Sequence, residues 1–150
     1  MAKDTDPIKV LNDLIHTSED GMKGFSEAAE KSDDIKLKML FKDRASECGT
    51  AVQELEMAVE TLGGKPDRSG TALGAAHRGW VAAKAAVGNA NVAVLEEVER
   101  GEDHAKAAYG KALKTTLPPL ARAVVEKQYQ GVLRNHDRIR DLRNQYRASM

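Results

Sequence analysis

Four prolines, at positions 7, 66, 118 and 119, divide the 150-residue chain into long stretches that proline never interrupts. Within these stretches apolar residues recur at i, i+3, i+4 and i+7, and strand-like alternation is absent, so the chain reads as long amphipathic helices. The first is predicted to start with Asp6 as N-cap and Pro7 in the first turn, where a missing N–H costs nothing. Its apolar stripe is Leu11, Leu14/Ile15, Met22, Phe25 and Ala29. The second begins near Asp33-Asp34, whose carboxylates suit the positive end of the helix dipole. It carries Leu37, Phe41, Cys48, Val52, Leu55, Val59 and Leu62, and stops at Gly63-Gly64 with Pro66 just beyond.

A third long helix is predicted from about Gly88-Asn89 to Lys114, with Val94/Leu95, Val98, Ala105, Tyr109 and Ala112 on one face. The fourth runs from Pro118-Pro119 almost to the C-terminus through Val125, Val132, Ile139, Leu142 and Tyr146. Between helices two and three, Leu73, Ala76, Trp80, Ala83 and Val87 keep helical spacing, which predicts a shorter helix anchored on the bundle by Trp80. Connection lengths then select a topology. Helices one and two are joined through Lys31 to Asp33, and three and four through Thr115 to Leu117, so each pair is antiparallel. The intervening link spans a bundle if about 16 of its residues are helical, covering about 24 Å. Helices two and three then run parallel, the one-crossover connection of ferritin-like bundles. The expected fold class is therefore all-α, a single ferritin-like four-helix-bundle domain over residues 1–150 with a helical crossover between helices two and three.

Composition excludes other classes. Lys and Arg number 23 against 23 Asp and Glu, which removes the broad attraction expected of a nucleic-acid or anionic-membrane binder. With 41% hydrophobic and 31% charged residues the chain is neither membrane-spanning nor disordered. Cys48 is the single cysteine, so no internal disulfide forms, and the N-terminus has no apolar signal-like stretch. A soluble, cytoplasmic protein is expected, with no nucleic-acid or membrane partner and a homodimer as the candidate assembly.

Six short motifs carry a resemblance. Asp20-Gly21 followed by Gly24-Phe25, Leu62-Gly63-Gly64-x-Pro66, His77-Arg78-Gly79-Trp80, Glu99-Arg100-Gly101-Glu102-Asp103 and Asn135-His136-Asp137-x-Ile139-Arg140 stand in one order and spacing over nearly the whole chain. They resemble a bacterial family of ferritin-like four-helix bundles known as a domain of unknown function. The resemblance implies the fold and carries no activity with it.

Ferritin-like di-metal sites take a Glu from each of two helices and a Glu-x-x-His pair from each of the other two. No Glu-x-x-His occurs here. Glu47 is followed at i+3 by Thr50 and Glu126 by Tyr129, while Asp13-x-x-His16, the nearest relative, lies off the stripe of helix one. At about 100° per residue, Arg44, Glu102 and His136 instead fall within the apolar stripes of helices two, three and four. Each lies about 10–13 residues, or about 15–20 Å, from the same end of the bundle, near the level of Ser18. The expectation is a buried polar network of Arg44, Glu102 and His136 that fixes helix register. Glu99 lies at the edge of the stripe, and Glu99, Glu102 and His136 are the ligands expected if iron or manganese is bound. Gln128 faces the core and needs a partner, Cys48 reads as an inert small hydrophobe, and Gly21, Gly24 and Gly101 suggest close helix approach. No catalytic residue and no cofactor are predicted. Acidic Glu96, Glu97, Glu99, Glu102 and Asp103 on helix three are expected to pair with Arg134, Arg138, Arg140, Arg143 and Arg147 on helix four. The leading functional expectation is a non-catalytic, stress-associated structural or interaction protein; the alternative is a metal-binding oxidase or iron-handling protein with unusual ligands.

Overall fold

The computed structural model describes residues 6–67 and 90–149. They form four helices and, among the described residues, no strand: α1 (Pro7–Lys31), α2 (Ile35–Thr61), α3 (Ala90–Leu113) and α4 (Pro119–Ala148). The expected crossover helix, with Trp80, His77 and Arg78, lies outside the described residues. None of the described helices is long and apolar enough to cross a membrane.

Local chemistry sets the helix ends. Asp6 accepts a hydrogen bond from the Ile8 N–H at 3.0 Å and Asp34 accepts one from the Lys36 N–H at 2.8 Å, each covering a donor that has no partner inside the helix. At the far end of α2, Leu62 caps the helix and Gly63 turns into the left-handed region at φ +83°. That reversal lets the Gly63 and Gly64 N–H groups donate to Glu60 and Val59 carbonyls left over by the last turn. Gly64 is held small for another reason: a Cβ there would stand 2.8 Å from Ile8, where the end of α2 crosses the start of α1.

Cross-helix bonds establish direction. Asp34, Glu47 and Glu54 of α2 meet Tyr146, Asn135 and Lys127 of α4, so the two helices are antiparallel. Glu99, Asp103 and Tyr109 of α3 meet Arg143, His136 and Gln128, so α3 is also antiparallel to α4. It follows that α2 and α3 are parallel. They face each other diagonally, because α1 packs on α2 and α3, and α4 packs on the same two. Each helix thus has antiparallel neighbours, the arrangement that a long crossover makes reachable.

The stripes bury as two apolar clusters. One gathers Leu11, Leu14, Ile15, Val52, Leu55, Val59, Tyr109 and Val125. The other gathers Phe25, Leu37, Phe41, Cys48, Leu95, Val98 and Ile139 around a tilted Phe25–Phe41 ring pair with centroids 6.1 Å apart. Between them, at mid-height, sit the buried polar side chains Ser18, Arg44 and Glu102.

Candidate functional site

Arg44 enters this layer from α2 and Glu102 from α3, across the bundle diagonal. Arg44 is 8% exposed and Glu102 is 2% exposed. The Arg44 Nε donates to Glu102 Oε2 at 3.2 Å and Nη2 donates to Oε1 at 3.3 Å, a two-pronged match of guanidinium to carboxylate. Nη1 donates to Glu47 Oε1 at 3.3 Å, one turn along α2, and the same oxygen accepts from Asn135 of α4 at 3.2 Å. The guanidinium also lies over the Phe25 ring, 5.7 Å from its centroid. Burial works against the Arg44 charge, but the neighbouring Cys48, Glu102 and Glu47 carry its pKa above the ordinary value. Burial pushes the Glu102 carboxyl up from its ordinary value, against the pull of Arg44.

A second network lies beside the pair. The Tyr109 hydroxyl donates to Gln128 Oε1 at 2.7 Å, which leaves Ser18 Oγ to donate to the Tyr109 oxygen at 2.9 Å. Gln128 Nε2 then donates to Glu54 Oε1 at 2.9 Å and to the Ala51 carbonyl at 3.2 Å. Ser18, Tyr109, Gln128 and Glu54 come from α1, α3, α4 and α2, so one chain of bonds ties all four helices together. Sequence reasoning found Gln128 and left its partner open, and it read Tyr109 as a core aromatic. The available signal was a hydroxyl-bearing residue on the α3 stripe in a protein with few aromatics.

His136 is placed at the edge of this layer, with its side chain 12% exposed. Its Nε2 lies 2.5 Å from Asp103 Oδ1 and its Nδ1 lies 3.2 Å from Asp137 Oδ1. The ring nitrogens face those surface carboxylates rather than Arg44 and Glu102, so the structure brings together two of the three expected residues by hydrogen bonding and leaves the third on the rim. Glu99 accepts from Arg143, and Glu96 from Arg147, as the opposed acidic and basic runs of α3 and α4 suggested. His16 pairs with Asp67 at 3.2 Å and Asp13 with Lys9 at 2.9 Å, so that couple also serves the surface. Glu97, buried on α3, is bonded to Arg100 at 2.6 Å.

The donor set does not suit a metal pair. Both Glu102 oxygens hold the Arg44 guanidinium, and Glu99 is engaged by Arg143. Among the described residues no three His, Cys, Asp or Glu side chains converge as metal ligands. The layer also offers little to covalent chemistry. Burial pushes the Cys48 thiol up to about 12, so it stays protonated at neutral pH and is a poor nucleophile there.

Four helices with α2 parallel to α3 and a polar layer at mid-bundle define a ferritin-like domain. The chain belongs to the family described as Domain of unknown function (DUF2383), whose family model matches residues 6–115. The chain is also similar in structure to a two-domain protein from Anabaena variabilis that contains DJ-1/ThiJ/PfpI-like and ferritin-like domains. The likeness has a TM-score of 0.78 at 16% sequence identity, and covers 98% of this chain and 38% of that one. No curated protein matches the chain in sequence.

Proposed function

We propose that this protein is a non-catalytic, metal-independent ferritin-like bundle with a structural or interaction role in the cytoplasm, and that a second copy of the chain is its first candidate partner. The observation that carries this reading is the two-pronged Arg44–Glu102 pair at mid-bundle. A guanidinium there supplies fixed positive charge in the bundle core, where ferritin-like metal sites gather carboxylates and imidazoles. The alternative, an iron- or manganese-dependent oxidase using Glu99, Glu102 and His136, would require all three side chains to leave the partners they hold. Elemental analysis of protein purified without chelators tests the choice. Iron and manganese far below one ion per chain are expected, with a melting temperature unmoved by EDTA. Stoichiometric metal that disappears in Glu102→Ala would overturn the reading.

A further inference from the structure

The space between the two apolar clusters is not filled. A cavity of about 380 Å³, partly open to the surface, lies at the level of Arg44 and Glu102. Protein interiors are packed nearly as densely as organic crystals, and voids much larger than a water molecule are few. Gly24 of α1 and Gly101 of α3 line this one, and a Cβ added to either would meet nothing within 4 Å. Glycine inside a helix is unfavourable relative to alanine. Neither position has the positive φ that would require glycine. Gly21 is different, since its Cβ would stand 3.0 Å from Cys48 Sγ, and there close helix approach does account for the residue. At Gly24, which is half-buried, that explanation is replaced by another: the missing side chain preserves the width of the cavity, and Gly101, exposed on α3, stands at its mouth.

Its walls indicate what fits. Phe25, Val98, Ala105 and Val132 are among the residues that line it, and most of the lining surface is apolar. Among its polar groups, Arg44 is bonded to Glu102, and Ser18 to Tyr109 and on to Gln128. Six carboxylates line the cavity and its mouths (Asp20, Glu27, Glu47, Glu54, Glu97 and Glu102), against three basic side chains, Arg44, Lys127 and Arg134. An anion would enter against that excess. An engineered cavity of roughly 150 Å³ holds benzene, so this one has room for roughly two to three rings. We infer that the cavity is a binding site for a neutral, largely apolar small molecule of two to three rings. The inference does not depend on the metal content of the protein.

Fluorescence titration of the full chain with N-phenyl-1-naphthylamine tests it. Saturable binding of one probe per chain is expected, and Gly24→Leu, which pushes a side chain into the space, should weaken it by about tenfold or more with helicity retained. If the leucine variant unfolds, the Gly24→Ala/Gly101→Ala double variant makes the comparison and should weaken binding by about threefold. The 8-sulfonate of the same probe, identical in its rings but charged, should bind about tenfold more weakly. The absence of saturable binding up to the solubility limit of the neutral probe, or affinity unchanged in the folded variants, would overturn the site. Equal affinity for the sulfonate would overturn its assignment to neutral ligands.

Discussion

Arg44 keeps its charge in a place nearly closed to water because Glu102 meets two of its N–H groups and Glu47 a third. Removing one member of such a pair leaves a buried charge without compensation. Glu102→Ala should therefore lower stability by about 3–5 kcal/mol. Lys42→Ala, on the exposed face of the same helix as Arg44, should change it by less than about 0.5 kcal/mol. Urea melts of both variants provide the check. An Arg44→Met/Glu102→Leu double variant should lose less than either single change, since a buried ion pair gains little over apolar packing once desolvation is counted. Cys48 supplies a separate residue-scale prediction. Buried and protonated, it should resist iodoacetamide in the native protein at mildly alkaline pH and react fully in guanidinium, as mass spectrometry would show.

Among the helices, the glycines divide by the conformation each must adopt. Gly63 ends α2 at φ +83°, where an L side chain is strained, so Gly63→Ala should cost about 1–2 kcal/mol. Gly24 lies in ordinary helical backbone with open space before it, so Gly24→Ala should stabilise by up to about 1 kcal/mol. The two substitutions are chemically identical and should shift the thermal midpoint in opposite directions. Asp34 joins two elements, since it caps α2 and accepts a hydrogen bond from Tyr146 near the end of α4. The Tyr146 bond, with backbone N–H donors, holds its carboxyl below the usual range.

For the molecule as a whole, the buried Cys48 and the half-buried Tyr146 predict a loss of stability in alkali. Cys48 would lose its proton near its ordinary 9.0 once unfolded but holds it to about 12 in the folded state. Tyr146 moves the same way, from 10.0 to about 12, through burial and its bond to Asp34. Between those values the folded state binds more protons than the unfolded one, so stability falls as pH rises. Their contribution is complete below pH 9.0 and lost on approaching about 12. Urea midpoints measured from about pH 8 to about pH 11 should decline, and the decline should be shallower in Cys48→Ala.

The four long helices, their approximate ends and their buried faces were legible in the sequence because proline placement, capping residues and apolar spacing act locally. Asp6, Asp34 and Gly63 stand within a turn of the groups they satisfy. The loop lengths also carried the parallel relation of α2 and α3, through simple limits on how far a short connection reaches. That Arg44 and Glu102 face inward followed from helical periodicity. Their pairing, between residues 58 positions apart, needed the diagonal approach of two helices. Periodicity put His136 on the same stripe, but an angle on a helix does not say which neighbour a long side chain reaches, and Asp103 and Asp137 on the rim engage it. The Ser18–Tyr109–Gln128–Glu54 bonds depend on four helices meeting at one height. The cavity beside them is less legible still. It is a volume lined by residues from every helix and partly open to the surface, and Gly24 discloses its presence only when the space before it is seen to be empty.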